Sequence, residues 1–64
     1  MNPYIINYNR YVIEIHQHPI YHDFEFVIKQ QNGQVVTASI QQYEFFEDAE
    51  IAAKMIINNF TEII

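Results

Sequence analysis

Phe24-Glu25-Phe26-Val27-Ile28-Lys29-Gln30-Gln31-Asn32-Gly33-Gln34-Val35-Val36-Thr37-Ala38-Ser39-Ile40 is the stretch that decides the fold. Phe24, Phe26 and Ile28 alternate with Glu25, Val27 and Lys29, the period-two pattern of a strand with one buried face. Asn32-Gly33 then marks a tight turn. A two-residue turn would set Ile28 against Thr37 and Phe26 against Ser39. A three-residue loop sets Ile28 against Val36, Phe26 against Ala38 and Phe24 against Ile40, which gathers the apolar residues on one face. A one-residue slip moves every side chain to the other face, so the apolar pattern favours the three-residue loop. Gly33 is then expected in the left-handed conformation, in a type I turn with a bulge.

Two further strands and a helix follow from the flanks. Val35 to Gln42 reads as the strand after the turn, and Asp23 to Gln30 as the strand before it. Upstream, Tyr11, Ile13 and Ile15 alternate with Val12, Glu14 and His16, a third strand. Tyr4-Ile5-Ile6 could form a short additional strand, turned by Asn7 to Arg10. Gln17 to His22 holds Pro19 and reads as a loop. Downstream, Ala49, Ala52, Ala53, Ile56 and Phe60 recur at helical spacing, which predicts a helix from Glu47 to about Phe60. Glu47, Asp48 and Glu50 stand at its start, where the helix dipole favours negative charge. The expected fold is α+β. A three-stranded antiparallel meander, with a possible short fourth strand at the N-terminus, carries one C-terminal helix on one face, in the order β-β-β-α. The helix is expected over Tyr11, Ile13, Ile15, Phe24, Phe26, Ile28, Val36, Ala38 and Ile40.

The chain has 64 residues, room for a single domain spanning residues 1–64. A domain this short buries only about 60% of the surface its unfolded chain exposes. It has no cysteine, so disulfides, thiolate metal sites and cysteine nucleophiles are excluded. Half of the residues are apolar, with five Phe and five Tyr, which is rich for so small a domain and points to apolar surface turned toward another chain. The formal charge is −5, and the three cations Arg10, Lys29 and Lys54 are scattered. Phosphate recognition needs clustered basic residues, so direct nucleic-acid binding is not expected, and neither is attraction to an anionic membrane. No run approaches the roughly 18 uninterrupted apolar residues of a membrane span. Met1 to Ile6 has no basic region before an apolar run, so no secretory leader is expected, and the cytoplasm is the expected location.

The run Phe26-Val27-Ile28-Lys29-Gln30-Gln31-Asn32-Gly33-Gln34-Val35-Val36, followed by Ser39, Tyr43 and an alanine-bearing helix, resembles the small YegP-type domain. The resemblance covers roughly residues 24 to 60. It implies the β-β-β-α order and pairing of domains, and it implies no chemistry. The tryptophan and the basic residues that the family places before the turn are missing here.

Few residues could carry chemistry. His16, His18, His22 and Asp23 are close enough in sequence to ligate zinc or a similar ion, given convergence. The same residue types also occur as plain solvent-facing loop residues. Protonating all three histidines would take the formal charge from −5 to −2, a possible pH response. Glu44, Glu47, Asp48 and Glu50 could oppose a basic, nucleic-acid-binding protein, or simply solvate the start of the helix. Ser39 lies mid-strand without a nucleophile elbow, and no glycine-rich phosphate loop is present, so no catalysis and no cofactor are expected.

Apolar residues off the core stripes are the stronger signal. Val12, Val27 and Val35 fall on the sheet face away from the helix. Ile51 and Met55 lie off the helix's core stripe, and Ile63 and Ile64 follow it. Tyr4, Tyr8, Tyr21 and Tyr43 add amphipathic area, and Tyr and Met are enriched at interfaces. The leading expectation is a non-catalytic protein-interaction module, a homodimer or a binder of another protein. A histidine metal site and an acidic inhibitor are the alternatives.

Overall fold

The structure, a computed structural model, describes residues 3–62, with side chains to residue 60. Four strands, β1 (Tyr4–Tyr8), β2 (Tyr11–Gln17), β3 (Phe24–Gln30) and β4 (Val35–Ala38), precede one helix, α1 (Phe46–Glu62). The strands form one antiparallel sheet in sequence order, an α+β meander. The N-terminal strand runs to Tyr8, two residues beyond its expected end. Its turn is Asn9-Arg10, with φ of 47° and 71°, between the paired residues Tyr8 and Tyr11. Positive φ at both central residues is the type I′ geometry, whose twist matches that of the flanking strands. The helix begins one residue before Glu47 and continues to Glu62.

The helix lies on the face that carries Ile13, Ile15, Phe26 and Ile28. With Ala49, Ala53 and Ile57 of α1, these residues are almost completely buried and form the core. The alanines let the helix backbone approach the sheet closely, and Ile57 supplies bulk one turn further on. Ile6, Tyr8, Tyr11, Phe24, Tyr43, Phe46, Ala52 and Ile56 pack around that centre. Phe46 seats the start of the helix, edge-on to Tyr4 at 5.0 Å and to Phe24 at 5.8 Å between ring centroids. Tyr8 ties β1 to the helix: its hydroxyl donates to Asn58 Oδ1 at 2.9 Å, and Lys54 Nζ lies 5.1 Å from its ring centre.

The β3–β4 turn has the expected three-residue loop. The Gln30 N–H donates to the Gln34 carbonyl and the Gly33 N–H to the Gln30 carbonyl, both at 2.9 Å. Gly33 has φ of 93°, where a side chain would strain the backbone. Asn32 Oδ1 accepts the Gln34 N–H at 2.9 Å and closes the loop.

Beyond Lys29↔Val35 the expected register fails. A bulge at Val36 shifts the pairing to Ile28↔Thr37 and Val27↔Ala38. Ser39 consequently stands opposite Phe26 and donates its N–H to the Phe26 carbonyl at 2.9 Å. Val36, Ala38 and Ile40 therefore do not enter the core. All three are exposed, and Ile40 is fully so, at 103%. The strand also ends at Ala38 and not at Gln42. The cause is coverage. The helix sits over β2 and β3, and nothing among the described residues covers an apolar row on β4. Tyr43 takes the place expected for Ile40. It exchanges both main-chain bonds with Phe24 at 2.7 Å, and its ring stacks on Phe26 at 6.1 Å.

Candidate interaction surfaces

The outer face of the sheet is ionic at its centre. Register places Ile5, Glu14, Val27 and Ala38 in one row and Asn7, Val12, Lys29 and Val35 in the next. Glu14 accepts from Lys29 Nζ at 2.7 Å and meets His16 Nε2 at 3.2 Å. The Lys29 bond is the main influence holding the Glu14 carboxyl below the usual glutamate range, with partial burial opposing it and His16 assisting. Val12 and Val27 are half-buried beside this group, while Val35 is 56% exposed. Of the expected outer-face trio, Val35 is the most open.

The histidines do not come together. His16 lies on the outer face with Glu14. His18 turns into its own loop, where Nδ1 accepts the N–H groups of Ile20 at 3.1 Å and Tyr21 at 3.2 Å. That is the work of an Asx-type cap done by an imidazole. An Nδ1 that accepts these bonds has its lone pair engaged by the backbone. His22 has φ of 63°, and its carbonyl accepts Gln17 Nε2 at 3.2 Å. The Asp23 main-chain carbonyl accepts the His18 N–H at 2.8 Å. Its carboxylate faces the Gln42 amide, which, with its nitrogen turned toward Asp23, donates to both carboxylate oxygens, to Oδ1 at 2.9 Å. Among the described residues, no three His, Asp or Glu side chains form a group that could hold a metal ion.

The β4 bulge opens a groove on the helix side of the sheet. It has a volume of about 510 Å³, a floor of Phe26, Thr37 and Ser39, and walls of Ile40, Met55 and Ile56. Met55 is 62% exposed at its rim, and Ile51, 56% exposed, lies one helical turn away. Ile51 and Met55 are thus open, as their place off the core stripe implies. Ile63 and Ile64 lie outside the described residues.

At the start of the helix, Glu44, Glu47 and Asp48 are exposed and form no ion pair among the described residues. Glu50 is bound to Lys54 at 2.7 Å. Phe45, Tyr21 and Tyr4 are also exposed. Among the described residues, no helix is long and apolar enough to cross a membrane.

Sequence reasoning missed the openness of Ile40 and Ile5. Thr37 and Ser39, alternating with Val36 and Ala38, were the available signal that β4 could turn its polar side inward. No family model, curated protein or solved structure matches the chain.

Proposed function

We propose that the protein is a non-catalytic interaction module that associates with itself. The observation that carries this reading is the disposition of its large apolar residues. Tyr4, Ile5, Val35, Ile40, Ile51 and Met55 are each more than half exposed on a domain whose fully buried core is small. Isolated exposed apolar residues are ordinary on a protein surface. Here Tyr4 and Ile5 lie on one edge strand and Val35 on the other, while Ile40 and Met55 line an open groove with Ile51 one helical turn away, positions where a second chain can cover them. Cyclic two-fold dimers are the commonest assembly of a single chain. Sedimentation equilibrium across a concentration series tests the reading: a reversible dimer supports it, and a monomer throughout refutes it.

A second reading rests on the acidic residues Glu44, Glu47 and Asp48, which form no ion pair among the described residues and lie beside exposed Phe45. They would dock a basic protein surface and compete with its nucleic acid. Salt-sensitive binding to a basic nucleic-acid-binding protein supports this reading, and its absence at low salt counts against it.

A further inference from the structure

The two edges of the sheet are built differently. β4 is four residues long, is bent by the Val36 bulge, and ends where Ile40 to Gln42 leave the ladder. A short, bulged edge resists pairing with another strand. β1, five residues long, has no bulge. Tyr4-Ile5-Ile6-Asn7-Tyr8 pairs with β2 without a register shift and contains no charge, proline or glycine. Its residues Tyr4 and Ile5 are 59% and 54% exposed.

The turn fixes which main-chain groups stay free. In a two-residue hairpin the residues flanking the turn exchange both ladder bonds, and bonded pairs alternate from there. Tyr8, Ile6 and Tyr4 therefore direct their main-chain groups at β2. Ile5 and Asn7 direct theirs at the open edge, where no strand among the described residues follows.

We propose that two copies of the chain pair antiparallel along β1, about a two-fold axis beside Ile6, and join their four-stranded sheets into one. This deepens the self-association reading above and rests on it. The register follows from the free groups. An axis at Ile6 sets Ile5 of each copy against Asn7 of the other, so that every edge-facing N–H and carbonyl of these residues is bonded. An axis at Ile5 would set Asn7 against Pro3, which has no N–H. An axis at Asn7 would set Ile5 against Asn9, which the turn holds at φ of 47°.

Charge selects a second copy as the occupant. Each chain carries −5, so symmetric contacts through the acidic helix start set like charges together. The β1 strand is uncharged. Arg10 stands at one of its ends, and Glu47 shares a shallow pocket with Tyr4 at the other. Antiparallel pairing brings each Arg10 toward the Glu47 end of its mate. The blunted β4 edge stops the assembly at two.

The test is sedimentation equilibrium on the intact chain and on Ile5→Lys, Asn7→Pro and Met55→Glu, with circular dichroism to confirm folding. The intact chain is expected to dimerise. Ile5→Lys puts a charge on the edge, Asn7→Pro removes an edge-facing donor, and each is expected to weaken the dimer about tenfold or more. Met55→Glu tests the groove, the other open apolar surface: a dimer that Met55→Glu weakens and Ile5→Lys does not is held through the groove, which overturns the β1 pairing. A dimer indifferent to Ile5→Lys and Asn7→Pro overturns the β1 pairing and leaves self-association standing. A monomeric intact chain overturns both. If Asn7→Pro fails to fold, Ile5→Lys alone decides, because its side chain is more than half exposed.

Discussion

The hydroxyl of Ser39 accepts the main-chain N–H of Phe26 at 3.1 Å, while the Ser39 N–H donates to the Phe26 carbonyl at 2.9 Å. A side chain thus completes the ladder where the main chain of β4 is leaving it. Ser39→Ala deprives a main-chain donor beside the buried Phe26 ring of its acceptor. The expected cost is about 1 kcal/mol, read as a lower urea midpoint with an unchanged slope.

Tyr8 is the equivalent tie at the opposite edge of the sheet. Its hydroxyl donates to Asn58 Oδ1 at 2.9 Å, and its ring lies under Lys54. Tyr8→Phe keeps the ring packing and removes the hydrogen bond. A loss of about 1 kcal/mol is expected in urea unfolding. Tyr8→Ala removes the ring as well and should cost clearly more.

Gly33, at φ of 93°, has open space where a Cβ would stand, with nothing within 4 Å, so only the backbone conformation resists a side chain there. Gly33→Ala is expected to destabilise by about 1 kcal/mol and Gly33→Asn by less, since Asn tolerates the left-handed region better. Thermal melts of both variants check the order.

The three-residue loop at Gly33 was legible because Phe24, Phe26 and Ile28 alternate so regularly that one register is favoured. The stripe of Ala49, Ala52, Ala53 and Ile56 gave the helix for the same reason. The bulge at Val36 was not legible, because Val36, Ala38 and Ile40 also alternate and read as a buried row. Only the position of the helix over β2 and β3 leaves that row uncovered. The turn between the first two strands was legible as Asn7 to Arg10, but its narrowing to Asn9-Arg10 was not, since arginine is not a residue that signals φ of 71°. Spacing placed three histidines near one another, but it could not show that His18 caps its own loop while His16 stands on the outer face. Exposure of Ile51 and Met55 was readable from the helical period; exposure of Ile5 and Ile40 depended on tertiary structure.

The outer-face group of Glu14, Lys29 and His16 gives stability a pH dependence. Lys29 is the main cause of a lowered Glu14 carboxyl in the folded chain. A carboxyl lowered on folding stabilises the fold above its unfolded value, near 4.3, and that contribution is lost as pH falls through the folded value. Urea midpoints measured from neutral pH downward are therefore expected to fall in the acid range. Glu14→Gln should flatten part of that fall, whereas an unchanged acid limb would separate the ion pair from acid stability.

The pairing along β1 is tested most directly by amide hydrogen exchange at Ile5 and Asn7, read residue by residue at rising protein concentration. Both amides face the open edge of the sheet in a single chain, while Ile6 faces β2. Ile5 and Asn7 are expected to exchange quickly when dilute and to become protected as the dimer forms, with Ile6 protected throughout. Fast exchange at Ile5 and Asn7 in a solution shown to be dimeric would contradict the pairing.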